Sequence, residues 1–193
     1  IFAVAGAGKT THIVNELNIS SRSIVITYTK NNFENLQTEI IKKFGFFPKN
    51  IYLRTYFQFL FSFCFKPLLS EKFGIKNINW KTNPKRYCKK SDISNYYLDK
   101  KGWIYHNRIA EFLINQNTIP EIKKRISRYF DCMFIDEIQD IAGNDFEFLE
   151  AISDTPINMC FVGDFYQHTY DSSRDGSKNK SLHKDYDNYK KRF

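Results

Sequence analysis

The sequence predicts an α/β fold, a parallel sheet flanked by helices and carrying a mostly helical insertion. Three observations point there. Short apolar runs alternate with amphipathic helical stretches along most of the chain. A glycine-rich loop, AVAGAGKTTH at 3–12, follows the first apolar run and precedes a helical stretch. A second apolar run ends in adjacent carboxylates, CMFIDEIQD at 132–140. With 193 residues, 42% of them hydrophobic and 17% aromatic, the chain can bury a large core.

In chain order, residues 1–4 read as an apolar strand entering the loop and 10–17 as the helix after it. SIVIT, Ser23–Thr27, is a second strand of buried type. Residues 31–44 read as a helix because Phe33, Leu36, Ile40, Ile41 and Phe44 fall on one face; Asn31 with Glu34 would cap it and Gly45 would stop it. Ile51–Thr55 is a third strand. Residues 133–135 and 158–162 are two more, with a helix at 145–152 between them.

Residues 61–125 break this rhythm. They hold 14 Lys/Arg against 5 Asp/Glu, a balance of +9 that exceeds the +8 of the whole chain. Such clustering suits a polyanionic partner, or else a lysine-coated soluble surface. The stretch has a turn-rich middle, KNINWKTNPKRY, and two helical patterns at 104–116 and 120–129. It reads as an insertion subdomain, which leaves 1–60 and 126–193 as the sheet domain. The run YFQFLFSFCF at 56–65 fits a strand or a helix, since its Phe residues recur every two positions. Trp80 and Trp103 would pack the insertion's small core or stack on bases. The polar tail from Asp171 reads as a linker.

No apolar run approaches the roughly 18 residues of a membrane span. Cys64, Cys88, Cys132 and Cys160 form no CxxC pair and read as buried free thiols in a reducing cytoplasm. His12, His106, His168 and His183 share no metal-ligand spacing. Without an initial Met, and with Ile1 already strand-like, the chain reads as lacking its native N-terminus.

The loop fits the phosphate-binding pattern G-x-x-x-x-G-K-[ST], except that Ala3 replaces the first glycine. In that pattern the backbone N–H groups across Ala5, Gly6, Ala7, Gly8, Lys9, Thr10 and Thr11 wrap phosphates at a helix N-terminus. Lys9 would reach the terminal phosphates and Thr10 would ligate Mg²⁺. An ordinary glycine-rich turn is the bland alternative. Such a loop needs an acidic partner at a strand end. Asp136 would hold the metal, and Glu137 would orient and deprotonate the attacking water. Read alone, the pair could instead be an acidic helix start. Together the two motifs favour an NTPase.

AVAGAGKTT, TYTKNN, RTYFQF, FIDEIQD and VGDFYQHTY occur in the order and rough spacing of the UvrD/Rep-like superfamily 1 DNA helicases, which the chain therefore resembles. Alanine at the first loop position is usual in that family. The resemblance implies a P-loop, RecA-like ATP-binding lobe using ATP and Mg²⁺, in a cytoplasmic 3′–5′ helicase or translocase acting on single-stranded or partly duplex DNA. It implies that Gln167 senses the γ-phosphate, that Asp164 supports its loop, and that Gln139 and Asp140 link the nucleotide site to neighbouring motifs. Thr27, Thr29, Lys30 and Asn31 resemble the residues touching the single-strand backbone. Thr55, Tyr56 and Phe57 resemble the next DNA-facing motif, although Tyr56 and Phe57 read equally well as core aromatics. Tyr170 resembles a base-contacting tyrosine. Hydroxyls and amides for phosphates, with aromatics for bases, are what a single-strand groove requires.

Three departures qualify this. Ser172 and Ser173 stand where the family carries an aromatic before Arg-Gly, so the role of Arg174 is open. The upstream glutamine motif that reads adenine and the second lobe with its arginine finger are both absent, so the lobe alone should turn ATP over weakly or not at all. The alternative reading is a non-motor ATPase switch or sensor of nucleotide or DNA ends in a defence or regulatory system. A binding module without turnover is a third, and intact Lys9, Thr10, Asp136, Glu137 and Gln167 speak against it.

Overall fold

The computed structural model describes residues 8–82, 84 and 87–164. The expected strand at 1–4, loop residues Ala5, Gly6 and Ala7, Lys85 and Arg86, and everything from residue 165 onward, with Gln167, His168, Tyr170, Arg174 and His183, lie outside the described residues.

The strands are β1 (Ser23–Thr27), β2 (Ile51–Thr55), β3 (Ile78–Asn79), β4 (Ile104–Tyr105), β5 (Cys132–Ile135) and β6 (Asn158–Phe161). β1, β2, β5 and β6 form a parallel sheet in the order β2-β1-β5-β6, with Val25 opposite both Leu53 and Phe134. This is the expected α/β architecture. Strand alternation divides the core in two. Val25, Leu53, Phe134 and Val162 meet helices α1 (Lys9–Glu16) and α2 (Lys30–Phe44) through Ile13, Val14, Leu17, Leu36 and Ile40. Ile24, Ile26, Met133 and Ile135 face a thicker helical layer that includes most of the aromatic residues.

The sequence places α2 correctly but not its cap. Thr29, not Asn31, is the N-cap, its hydroxyl accepting from the Asn32 N–H at 3.2 Å. Thr29 sits one residue before the first helical turn, where a side-chain oxygen can reach an orphan N–H. At the other end Gly45 is left-handed at φ 77° and donates to the Ile41 carbonyl at 2.7 Å. Ile41 lies off the buried face and is 41% exposed.

The ambiguous run after β2 is helical throughout. α3 (Tyr56–Gln58) passes into a π-helix, Phe59–Ser70, and then α4 (Glu71–Phe73). A spacing of two contains spacings of four, and those stack along a helix: Phe59 on Phe63 at 5.6 Å and Phe61 on Phe65 at 5.3 Å between ring centroids. Pro67 lies inside the π-helical stretch, where the wider i→i+5 pattern replaces the usual ladder. α5 (Ile93–Tyr96), α6 (Ile109–Asn115), α7 (Ile119–Tyr129) and α8 (Gly143–Ile152) complete the elements. Two corrections apply to residues 104–116. The first two residues are strand β4, paired parallel to β3, and His106–Arg108 is a 3-10 turn before α6. Ile122 and Ile126 of α7 pack into the same cluster as Ile24 and Ile26.

Trp80 and Trp103 do not pack a small core: they are 53% and 36% exposed. All four cysteines are free, but only Cys64 is buried, and burial pushes its thiol well above the ordinary range. Among the described residues, no helix is long and apolar enough to cross a membrane.

Tyr56 ties the helical layer to α8. It is fully enclosed, and its hydroxyl donates to Asp145 Oδ1 at 3.1 Å. Burial first, then the Asp145 charge, raises the Tyr56 hydroxyl well above its usual range, so it stays a donor. Tyr56→Phe removes a donor from a fully buried carboxylate. It should destabilise the chain by about 1–3 kcal/mol, read as a drop of several degrees in the thermal midpoint. An unchanged midpoint would show that the bond contributes nothing net.

Candidate functional site

In parallel α/β sheets the ends of adjacent strands open a crevice where strand order reverses. Among the described strands that reversal falls between β1, whose successor β2 lies on one side, and β5, whose successor β6 lies on the other. Thr27 ends β1, and Asp136 follows β5 with its N–H bonded to the Ile26 carbonyl at 2.8 Å. Both side chains are buried, and among the described residues neither Thr27 Oγ1 nor Asp136 Oδ1 has a hydrogen-bond partner. Two unmet oxygens at one strand end are costly in a closed core and expected where a cation or its water shell binds.

The charge environment agrees. Burial, with repulsion from Glu137 and Asp140, raises the Asp136 carboxyl to about 7, against a Glu137 backbone hydrogen bond and the Lys9 charge. Among the described residues no cluster of three or more His, Cys, Asp or Glu side chains could hold a metal unaided. The unpartnered Asp136 Oδ1 is an oxygen donor of the kind a hard ion such as Mg²⁺ takes, and such an ion would draw on Asp136 and Thr10 and take its remaining oxygens from phosphate and water.

Gly8 is the N-cap of α1 at φ 76°, a left-handed conformation that suits glycine. It aims the first turn of α1, and Lys9 with it, at the end of the sheet. Lys9 Nζ lies 3.8 Å from Asp164 Oδ2, with both side chains largely buried. Glu137 leaves β5 with φ 54°, unusual for a residue with a side chain and a form of strain that gathers at functional sites. From there Gln139 acts as a clasp. Its amide donates to Glu137 Oε2, and its Oε1 accepts from the Asp164 N–H at 2.9 Å. The clasp closes because residue 163 is glycine. A Cβ there would meet Gln139 Oε1 at 2.5 Å and Ile138 Cγ2 at 2.7 Å. Gly163 has no place among the sequence-derived site residues, yet its position immediately before Asp164 in VGD was the signal. Asp140 is buried beside this group.

The residues expected to touch a nucleic-acid strand divide. Lys30 and Asn31 are exposed at the start of α2, and Lys30 pairs with Glu34 at 3.5 Å. Thr29 is half-buried and spends its hydroxyl on the α2 cap. Thr55 does the same for α3 in a reciprocal cap with Gln58, at 3.3 and 3.0 Å. Thr27 and Tyr56 are enclosed, so neither presents a side chain to a strand lying on this surface. Of the two aromatics left open between core and surface, Tyr56 is core, whereas Phe57 is half-buried. Phe57 lies 6.1 Å from Tyr28 and 5.0 Å from Trp80 between ring centroids.

In the metal-free chain the buried Asp136 carboxyl sets a pH dependence. Its native value of about 7 lies above the ordinary 3.8, so the native state holds a proton that the unfolded chain has already lost. Its contribution to stability therefore falls as pH rises from about 4 to about 7. Asp136→Asn should stabilise the chain at pH 8 by roughly 1–4 kcal/mol and change little at pH 4. Thermal melts in chelator at both values test this; parallel curves for the two proteins would refute it.

The model for the UvrD/REP helicase N-terminal domain matches residues 76–189, more than half of the chain. The crystal structure of Pif1 helicase from Candida albicans is similar at 15% identity and a TM-score of 0.26, with 86% of this chain covered. The match covers 34% of that protein, so the chain spans about a third of its length. No curated protein sequence matches the chain. The chain belongs to the UvrD/REP helicase N-terminal domain family.

Proposed function

We propose that this chain is the ATP-binding, RecA-like lobe of a DNA helicase or translocase of 3′–5′ type, with part of the single-stranded DNA path on the same sheet edge. The observation that carries the reading is the convergence of Lys9, Asp136, Glu137, Gln139 and Asp164 where β5 and β6 end. Lys9 approaches a carboxylate that the phosphates of ATP would compete with, and Asp136 has an oxygen to offer a cation. A bound Mg²⁺ would neutralise charge on the phosphate oxygens. Glu137, aimed by its left-handed backbone and steadied by Gln139, is placed to accept a proton from water. Because Gln139 also holds the Asp164 N–H, the base and the segment leading to Gln167 share one side chain. Thr29 and Thr55, with Lys30 and Asn31, start the helices that border the proposed DNA path.

Lys9→Ala should abolish ATP binding by removing the charge opposite the β- and γ-phosphates. Calorimetry showing unchanged affinity would refute the loop assignment. Glu137→Gln keeps size and hydrogen bonding but loses the base. In the intact protein it should bind ATP normally and hydrolyse it on the order of 10²–10⁴-fold more slowly. Wild-type turnover in that variant would remove Glu137 from the role.

A further inference from the structure

Between the sheet edge and the basic stretch runs a row of rings whose outer pair, Trp80 and His106, lies outside the motifs quoted above. The β3–β4 pair generates its outer end. β3 and β4 are parallel, with Asn79 opposite Tyr105, so the next residues, Trp80 and His106, emerge side by side. They stack at 5.5 Å between centroids and 20° between planes. Phe57 stands edge-on to both, at 5.0 Å from Trp80 and 5.9 Å from His106. Tyr28, the residue after β1, lies beyond Phe57 at 6.1 Å. The row thus runs from the C-terminal ends of β1 and β2 into the +9 stretch.

The indole is held there, not left loose. Asn79 Oδ1 accepts from the N–H groups of Lys81 and Thr82, each at 3.0 Å, which closes a turn around Trp80. The Asn79 amide donates to Thr82 Oγ1 and to Asp99 Oδ2, both at 2.6 Å. Asp99 Oδ1 in turn accepts from Lys101 N at 2.8 Å and Trp103 N at 2.9 Å. His106 Nδ1 lies 3.3 Å from the Asn79 carbonyl. A braced tryptophan, backed by one ring and 53% exposed, keeps a large apolar surface in water at an avoidable cost. Lys76 and Lys81 are exposed near it in sequence, and exposed Lys100 and Lys101 line a hollow with Asn79 and Thr82.

We propose that Trp80, backed by His106, is a stacking platform for a base of single-stranded DNA, extending the path past Phe57 into the insertion. The inference rests on the DNA-helicase reading above and adds to it a contact from outside the shared motifs. A base fits better than a protein side chain because Lys100 and Lys101 border the hollow beside Asn79 and Thr82 and outnumber its one carboxylate, Asp99, whose oxygens are taken up by Asn79, Lys101 N and Trp103 N, and stacking with phosphate neutralisation is how sequence-tolerant strands are held.

The chain has two tryptophans, so Trp103→Phe leaves Trp80 as the sole indole reporter. Oligothymidylate should quench its fluorescence, and an abasic strand of equal length and charge should not. By anisotropy, Trp80→Ala should weaken oligothymidylate binding roughly 5- to 150-fold, the equivalent of one lost base stack. Its salt slope should be unchanged, because no phosphate contact is lost, and Trp80→Phe should recover most of the affinity. With Trp80 half exposed, a melting curve that matches wild type confirms that the variant is folded. Equal affinity of wild type and Trp80→Ala would overturn the platform and leave the DNA reading standing. Failure of wild type to bind any strand would overturn both.

Discussion

Asp136 follows a buried strand with one oxygen that has no hydrogen-bond partner among the described residues, and the groups around it bear on that carboxylate. A carboxylate enclosed in protein is stable only if neutralised by a proton, a cation or donors. Lys9 lowers the cost through its charge, and the Glu137 backbone supplies a hydrogen bond, yet the carboxyl is still held at about 7. Three further demands follow. α1 must begin at Gly8 so that Lys9 arrives at this end of the sheet. The chain must turn sharply after Asp136, which the left-handed Glu137 does. β6 must come close enough for Gln139 to clasp Asp164, which needs Gly163 without a Cβ. The strain at Glu137, the glycine at 163 and the buried amide at 139 answer one electrostatic problem.

The threonines show how one residue type serves two ends. Thr29 and Thr55 each follow or end a parallel strand and cap the helix that starts there. A hydroxyl committed to a cap has a fixed direction, so it positions the backbone around it. Exposed Lys30 and half-buried Phe57 are placed by those caps. For the proposed DNA path, the capping threonines therefore define where the surface lies while their neighbours provide the groups that reach out from it.

Much of this was legible in the sequence because the signals were local. Ser23–Thr27 and Ile51–Thr55 are short β-rich runs bounded by polar residues, and both strands match the structure residue for residue. The carboxylate pair was visible because Asp136 and Glu137 stand together directly after an apolar run. What escaped depends on long-range contact. The run 56–65 carried a period compatible with either element, and only packing against the sheet decides it. Tyr56 became core because Asp145, far along the chain, supplies its acceptor. The β3–β4 pair has two residues per strand, too few for any periodicity. Lys90, one cation of the +9 stretch, pairs with the buried Glu111, whose other oxygen accepts from Tyr96 at 3.1 Å. Its charge is therefore partly spent inside the fold, and the net positive count overstates what the surface can offer a polyanion.

The backbone also links the proposed nucleotide site to the proposed DNA path. β1 and β5 are adjacent, and the Asp136 N–H bonds to the carbonyl of Ile26. Thr27 follows directly, then Tyr28 and the Thr29 cap. One ladder rung thus separates the carboxylate proposed to hold a cation from enclosed Thr27 and, beyond it, the exposed start of α2 proposed to border a strand. A sheet rung is stiff, because shifting it breaks several parallel hydrogen bonds at once. On the other flank, Gln139 joins Glu137 to the backbone after β6. The proposed base thus lies between two hydrogen-bonded links, the Asp136–Ile26 rung on one flank and the Gln139 clasp on the other.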